Sequence, residues 1–321
     1  MVRPDATPAS GGVAILLSTY NGEPFLVEQL ASLQAQTIGD WVLYWRDDGS
    51  TDATPHMMTE FLATLGSGRF VVVPSDGRVG AGESFLRLLR IAAIDGCEAV
   101  AFADQDDVWL PEKLARGMAA LSKVPAATPA LYCARQVLVD AGLRRITESA
   151  TVRHPPAFPA ALTQNIATGC TVMMNRAAAG LVAASRAPGA TLHDWWSYLM
   201  VAAAGGRVLF DATPVVLYRQ HEGNAMGAPA TLLLRALAAL RRGPASFMNV
   251  FLQNIAALAD QPGLISPAAN AEVAAITHAL DGGALRRCAV LRMRGLRRQT
   301  WTETMLFRLW FMLHQQRCRP E

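Results

Sequence analysis

Short apolar runs alternate with helix-spaced apolar positions along the first third of the chain. The runs are predicted strands and cover residues 13–18, 41–45, 70–74 and 99–103. The segments between them carry apolar residues at helical spacing and cover residues 24–36, 50–65 and 84–94. Repeated strand–helix units with apolar strands predict an α/β fold, in which a mostly parallel sheet is flanked by helices.

The second half of the chain has a less regular pattern. Predicted strands cover residues 131–139, 143–146, 168–175, 208–210 and 215–218, and residues 192–200 predict a helix. From residue 226 the chain is rich in Ala, Leu and Arg and shows only helical patterns. We therefore predict a loose N-terminus (1–10), an α/β domain (11–225) and a basic helical extension (226–321), with a boundary near residues 223–229.

Polar clusters follow three of the predicted strands. They comprise residues 18–21, residues 47 and 48, and residues 104–107. Ligands of open α/β sheets bind beyond the carboxyl ends of the strands, where such clusters meet. We therefore expect a binding site there.

The acidic cluster Asp104, Asp106 and Asp107 allows two interpretations. Neighbouring carboxylates repel one another, and a divalent cation such as Mg²⁺ or Mn²⁺ would relieve that repulsion. Alternatively, an acid caps the helix that is predicted to follow Pro111. Spacing alone does not decide between these interpretations.

Composition narrows the class of protein. The 321 residues are 51% apolar, which is enough for a large core. The five cysteines are scattered and form no C-x-x-C pair, so reduced thiols are expected rather than a disulfide framework or zinc site. No apolar stretch is long enough to predict a transmembrane helix or a signal peptide.

Charge is distributed unevenly. Residues 226–321 contain twelve Arg, no Lys and five acids, a net charge of +7, whereas the preceding residues carry −4. Such a tail meets an anionic surface, packs on the α/β domain or forms a dimer contact. The sequence leaves these three options open.

Several common motifs are absent. The chain has no P-loop, no strand–GxGxxG–helix arrangement and no G-x-S-x-G elbow. Interpretations as an ATPase, a redox enzyme or a serine hydrolase therefore lose their usual support.

An ordered set of motifs resembles inverting family-two glycosyltransferases of the GT-A fold, most closely the bacterial rhamnosyltransferase type. The motifs are STYNG (18–22), RDDGSTD (46–52), ADQDDVWLPEKL (103–114), TGCTVMMNR (168–176), HDWW (193–196) and YRQH (218–221). The resemblance implies a metal-dependent transferase with a D-x-D motif, which moves a sugar from a dTDP- or UDP-sugar to a lipid-linked or polymeric glycan in polysaccharide synthesis.

The resemblance also implies roles for individual residues on the donor side. Tyr20 would lie against the base, Asp48 would accept a hydrogen bond from the base, and the Ser18 and Thr19 backbone would line the same pocket. The other predicted donor-binding residues are Arg78, placed on the pyrophosphate, Asp104, placed at the ribose, and Gln105.

The same resemblance implies which residues would bind the metal and which would act as the catalytic base. Asp106 and His221 would bind Mg²⁺ or Mn²⁺, with Arg219 and Asn224 near the diphosphate, and Asp107 is left as the cap of the following helix. Asp194 matches the catalytic base that deprotonates the acceptor hydroxyl. The neighbouring indoles of HDWW would shield it and stack on a sugar, whereas without the family Asp194 would be interpreted as a helix cap beside two core tryptophans.

Two alternative functions are a nucleotide-sugar nucleotidyltransferase and a non-catalytic nucleotide- or glycan-binding module. The first predicts a Gly-rich basic loop after the first strand, where this chain has STYNGEP. We expect no nucleic-acid partner and a cytoplasmic protein, with peripheral contact to the inner face of the membrane through the basic tail.

Overall fold

The computed structural model describes residues 12–189, 191–221, 232–293 and 295–314. For residues 232–244 and 246 it describes the backbone alone. The predicted boundary near residues 223–229, the predicted N-terminus (1–10) and Asn224 lie outside the described residues.

Strand–helix units build the first half, as the apolar pattern predicts. Their order is β1 (Val13–Thr19), α1 (Leu26–Gln34), β2 (Trp41–Asp47), α2 (Thr54–Leu65), β3 (Phe70–Val72), α3 (Ala81–Asp95) and β4 (Ala99–Ala103). These strands are parallel and lie in the order β3-β2-β1-β4. Alternate side chains of β1 enter two different apolar cores, so both faces of the sheet are buried by helices.

Antiparallel pairs make the second half of the sheet mixed. Its elements are β5 (Val108–Trp109), α4 (Lys113–Leu121), β6 (Ala130–Val139), β7 (Arg145–Glu148), α5 (Ala160–Thr163), β8 (Met173–Asn175), α6 (Arg176–Ala184), α7 (His193–Ala203) and β9 (Arg207–Arg219). The order continues β4-β8-β6-β9-β5, with β7 on β6, and β8 is antiparallel to both β4 and β6.

Two predictions for the second half are wrong. Residues 168–175 form a 3₁₀ turn, Gly169–Thr171, before the short strand β8. Residues 208–210 and 215–218 belong to one long strand, β9, because its pairing with β6 shifts register near Pro214 instead of ending there.

Four helices follow the sheet: α8 (Leu232–Ala259), α9 (Pro267–Leu280), α10 (Ala284–Leu291) and α11 (Trp301–Leu313). Phe251, Phe307 and Phe311 are fully buried in the same apolar core as Trp196 of α7. The described part of the tail therefore packs on the α/β unit, which is one of the options left open by the sequence. No helix among the described residues is both long and apolar enough to cross a bilayer.

Candidate functional site

Register brings the polar loops together. Thr19 pairs with Asp47 across β1 and β2, and Leu17 pairs with Ala103 across β1 and β4, so the three strands end at one level. The Gln105 side chain ties two of these loops together. Its Oε1 accepts from Tyr20 N at 2.8 Å and its Nε2 donates to Tyr20 O at 2.9 Å.

Asp48 is the residue predicted to bind the nucleobase of the donor. Its carboxylate accepts hydrogen bonds from Arg46 Nη1 at 2.6 Å and from the backbone amides of Val79 and Gly80, each at 2.8 Å. Burial acts to raise the pKa of Asp48, but these hydrogen bonds outweigh it and hold the pKa below its usual value. Asp48 is thus a fixed acceptor in its ionised form.

Arg46 is a site residue that the sequence argument missed. Its side chain is fully buried, and besides Asp48 it donates to Ser84 Oγ at 3.1 Å and to Gly77 O at 2.8 Å. Arg46 therefore fixes both Asp48 and the loop that supplies the two amides. An arginine at the end of an apolar strand was the available signal, because such a residue is buried only with partners.

Tyr20 and Arg78 lie against each other. The Arg78 guanidinium carbon is 3.9 Å from the centre of the Tyr20 ring, a cation–π contact. Ser18 Oγ donates to Ser84 Oγ at 2.7 Å, and Thr19 Oγ1 donates to Asp47 Oδ1 at 2.9 Å. The hydroxyls of Ser18 and Thr19 thus brace the loops, and Arg78, predicted to meet the pyrophosphate, lies on the ring of Tyr20, which is predicted to meet the nucleobase.

The two predicted metal ligands meet although 115 residues separate them. His221 Nε2 lies 2.8 Å from Asp106 Oδ2, and both side chains are partly exposed. The Phe25 ring lies 4.6 Å from the His221 ring and supports it. The carboxylate oxygen suits Mg²⁺ or Mn²⁺, and the imidazole nitrogen beside it suits a transition metal such as Mn²⁺ better than Mg²⁺.

Asp104 is close enough to Asp106 and Asp194 to be affected by the charges of both. Burial and the negative charges of Asp106 and Asp194 raise the pKa of Asp104 to about 8. Asp194, which is 90 residues away in the sequence, thus acts on the same site as Asp104 and Asp106. A divalent cation would relieve their repulsion, so the residues present fit one.

Asp107 is not a helix cap, and that prediction is wrong. Its Oδ1 accepts from the backbone amide of Arg219 at 3.1 Å, and the chain after it forms strand β5. The first turn of α4 is satisfied instead by Gln36, whose Oε1 accepts from Leu114 N at 3.1 Å. Asp107 therefore joins the end of β9 to the acidic loop, which places His221 near Asp106.

Asp107 also belongs to a buried cluster with Asp104 and Cys170, whose ligand atoms lie within 4.8 Å of one another. Burial and neighbouring negative charge raise the pKa of the Asp107 carboxyl and of the Cys170 thiol, which hydrogen-bond each other. The Cys170 sulfur is a soft donor, whereas Mg²⁺ and Mn²⁺ prefer oxygen ligands. This cluster therefore fits such a cation less well than an all-oxygen site, and Asp106 and His221 remain the predicted ligands.

Asp194 is held by backbone amides at the first turn of α7. Its Oδ2 accepts from Gly169 N at 3.0 Å and its Oδ1 from Trp195 N at 2.6 Å. Burial raises the pKa of Asp194 to about 6, although these hydrogen bonds act to lower it. A buried, oriented carboxylate with a raised pKa is a better base than an exposed aspartate.

The two tryptophans beside Asp194 differ. Trp196 is fully buried and donates its Nε1–H to Ser185 Oγ at 2.8 Å, so its expected role in sugar stacking is wrong. Trp195 is half-buried and donates to Ala161 O at 2.7 Å. Trp195 is thus the indole that shields the site.

Comparison with known proteins agrees with this geometry. The family model for glycosyl transferase family 2 matches residues 14–180. The chain is 30% identical over 230 residues to the dTDP-rhamnosyl transferase RfbG of Shigella flexneri, an alignment that covers 66% of this chain and 74% of the relative.

Two further similarities are more partial. The UDP-Glc:alpha-D-GlcNAc-diphosphoundecaprenol β-1,3-glucosyltransferase WfgD of Escherichia coli is 29% identical over 102 residues, or 32% of this chain and 38% of the relative. The structure of S. aureus TarS 1-349 in complex with UDP-GlcNAc superposes with a TM-score of 0.55 at 17% identity, covering 82% of this chain and 70% of that one. At this identity the structural likeness shows the fold alone.

Proposed function

Because this chain belongs to glycosyltransferase family 2 and has the fold of the GT-A enzymes, we propose that it is a metal-dependent inverting transferase. The sugar, with rhamnose as first candidate, comes from a dTDP- or UDP-sugar and goes to a lipid-linked or polymeric glycan acceptor. The observation that carries the proposal is the convergence of Asp106, His221, Asp104 and Asp194 at the strand ends.

The donor side follows from the loop contacts. Asp48, ionised and fixed by Arg46, accepts the hydrogen bond of the base, whose ring stacks on Tyr20 beside Arg78. Asp104 is placed to meet the ribose, while Gln105 holds the Tyr20 backbone in position. Asp106 and His221 would hold Mg²⁺ or Mn²⁺, which would supply positive charge to the diphosphate leaving group.

The acceptor side depends on Asp194. Its carboxylate accepts the proton of the acceptor hydroxyl while that oxygen bonds to C1 of the sugar and the nucleoside diphosphate leaves with the electron pair of the C1–O bond. The amides of Gly169 and Trp195 fix the carboxylate oxygens, so the base is oriented before substrates bind. Attack opposite the leaving group inverts the anomeric centre.

Donor preference is tested by isothermal titration with dTDP-rhamnose, UDP-glucose and UDP-galactose, each with Mn²⁺ and with EDTA. The S. flexneri relative is named for a dTDP-sugar and the E. coli relative for a UDP-sugar, which is why both bases are included. We expect one of the three to bind only in the presence of Mn²⁺. Failure of all three to bind in either condition contradicts the proposed donor class.

The pH dependence of transfer follows from Asp194. Its pKa is raised by burial to about 6, and only the ionised form accepts a proton. We therefore expect kcat/KM for the acceptor to fall about tenfold per pH unit below that pKa and to level off above it. The check is a pH profile at saturating donor and Mn²⁺, because a profile that stays flat down to pH 5 contradicts the assignment.

Location is a separate part of the proposal. We place the enzyme in the cytoplasm, with α10 and α11 against the inner face of the membrane, where a lipid-linked acceptor is presented. Leu285, Trp301, Leu309 and Leu313 are exposed apolar side chains of these helices. Residues 284–314 contain seven Arg and one acid, which suits anionic headgroups.

Flotation with liposomes tests this contact. The full chain should float with phosphatidylglycerol vesicles and not with phosphatidylcholine vesicles, because apolar burial and charge attraction act together. Changing Trp301, Leu309 and Leu313 to Gln should abolish flotation, whereas the matched control Ile94→Gln, an exposed apolar residue of α3, should not. Absence of flotation by the wild-type chain on both vesicles would end the membrane proposal.

A further inference from the structure

The segment that precedes Asp194, the proposed catalytic base, is hydrogen-bonded to the C-terminal helical region. Gln261, just after α8, makes a two-way amide contact with Arg186: its Oε1 accepts from Arg186 N at 2.7 Å and its Nε2 donates to Arg186 O at 3.0 Å. Gln261 is buried. A buried amide that satisfies both backbone groups of one residue fixes that residue in place.

A second contact lies closer to the base. Thr191 Oγ1 donates to Asn254 Oδ1 at 2.6 Å, and Asn254 is fully buried in the C-terminal part of α8. Thr191 precedes Asp194 by three residues and lies just before the first turn of α7. The pair satisfies the buried Thr191 hydroxyl and the Asn254 Oδ1, although the Asn254 Nδ2 has no partner among the described residues. Because breaking the pair would leave two more buried polar groups unsatisfied, it helps to set where α7 begins.

The core beneath these contacts is continuous. Phe251, Ile255 and Leu258 of α8 lie in the same apolar cluster as Trp196 and Leu199 of α7. Apolar packing alone would allow α7 to shift somewhat against α8. The hydrogen bonds of Asn254 and Gln261 are directional and therefore restrict that shift.

We propose that Asn254 and Gln261 are positioning residues for the base, so that the C-terminal helical region is part of the catalytic architecture. The inference rests on the proposed role of Asp194. Asn254 sets the start of α7 through Thr191, and the start of α7 sets the carboxylate against the amides of Gly169 and Trp195. The donor-side acceptor Asp48 is held by other elements, namely Arg46 and the loop before α3.

This arrangement predicts a split between kcat and KM. In Asn254→Leu and in Thr191→Val the base moves, so kcat should fall about tenfold to hundredfold while KM for the donor stays within about twofold. The conservative variant Thr191→Ser keeps the hydroxyl and should retain near wild-type kcat. Gln253→Leu, at a partly exposed neighbour of Asn254 on α8 whose side chain bonds, among the described residues, only to Asn249 of the same helix, is the matched control.

A double-mutant cycle tests whether the two residues act through one contact. If they do, the Thr191→Val/Asn254→Leu double variant has the same kcat as either single variant. Losses that multiply in the double variant, or equal losses in Asn254→Leu and Gln253→Leu, overturn the proposal. An unchanged kcat in both single variants overturns it as well.

Hydrogen exchange gives a readout that needs no turnover. Peptides covering residues 191–200 should exchange faster in Asn254→Leu and Thr191→Val than in the wild type, with Gln253→Leu and Thr191→Ser unchanged. If the wild-type chain fails to transfer sugar, the proposed function fails while exchange still reports on the Thr191–Asn254 contact. Unchanged exchange in this peptide in both disruptive variants refutes the positioning role.

Discussion

Asp194→Asn should reduce transfer about a thousandfold and leave donor binding intact, since a positioned base contributes about 10²- to 10⁴-fold. The amide has the shape of the carboxylate but accepts no proton at neutral pH. The new amide NH₂ would face the backbone N–H of Gly169 or of Trp195, so one hydrogen bond to the side chain would be lost. Steady-state transfer and isothermal titration of the donor with Mn²⁺ measure the two effects separately.

The matched control for this variant is Asp260→Asn, which changes an exposed acid outside the site. It should transfer at the wild-type rate. Normal transfer by Asp194→Asn would show that another group is the base, whereas a parallel loss of donor affinity would indicate a disrupted site.

Asp106→Ala should lose metal-dependent turnover almost completely. The variant removes one of the two proposed ligands, leaves His221 without its 2.8 Å partner, and deprives the diphosphate of its counter-charge. Because a metal contributes several kcal/mol of charge stabilisation, we expect a loss of about a thousandfold or more. Initial rates over a Mn²⁺ titration, with donor saturating, give both the rate and the apparent metal affinity.

Glu112→Ala, an exposed acid shortly after Asp106, serves as the control and should behave as the wild type. A thermal melt without metal checks that Asp106→Ala folds. A folded Asp106→Ala variant with wild-type rates in EDTA would remove the metal from the account.

The sequence was sufficient for the half of the fold where one physical rule dominates. Strands buried on both faces are continuous apolar runs, and Ala99–Ala103 has the predicted bounds for that reason. Parallel pairing then brings the strand ends to one edge, so the grouping of Asp48, Asp104 and Tyr20 could be expected before any coordinates. The prediction that His221 lies near Asp106 came from the family resemblance, because β9 is far from that edge of the sheet in sequence.

The errors arise where a local pattern competes with a tertiary contact. The apolar run at residues 168–175 has strand composition, but its first part turns so that the Gly169 amide reaches Asp194. The polar residues near Asp211 look like a break, yet the carboxylate of Asp211 is paired with Arg116 and bonded to Tyr132, so β9 continues. Such partners are far away in the chain and leave no periodic signal.

Asp107 shows the same limit within the site. An acid shortly before a helix that follows a proline is typical of an N-cap. The hydrogen bond to the Leu114 amide in the first turn of α4 comes instead from Gln36, which follows α1. Arg46 was overlooked for the converse reason, since its partners Asp48, Ser84 and Gly77 come from three segments. Buried polar networks of this kind follow from the fold and are not encoded by spacing.

Metal-dependent turnover by the wild-type chain tests the central claim most directly. The release of nucleoside diphosphate from dTDP-rhamnose, UDP-glucose and UDP-galactose is followed with Mn²⁺, after EDTA, and after Mn²⁺ is restored. We predict release from one of these donors that stops in EDTA and returns with Mn²⁺. Release that continues at the same rate in EDTA would contradict it.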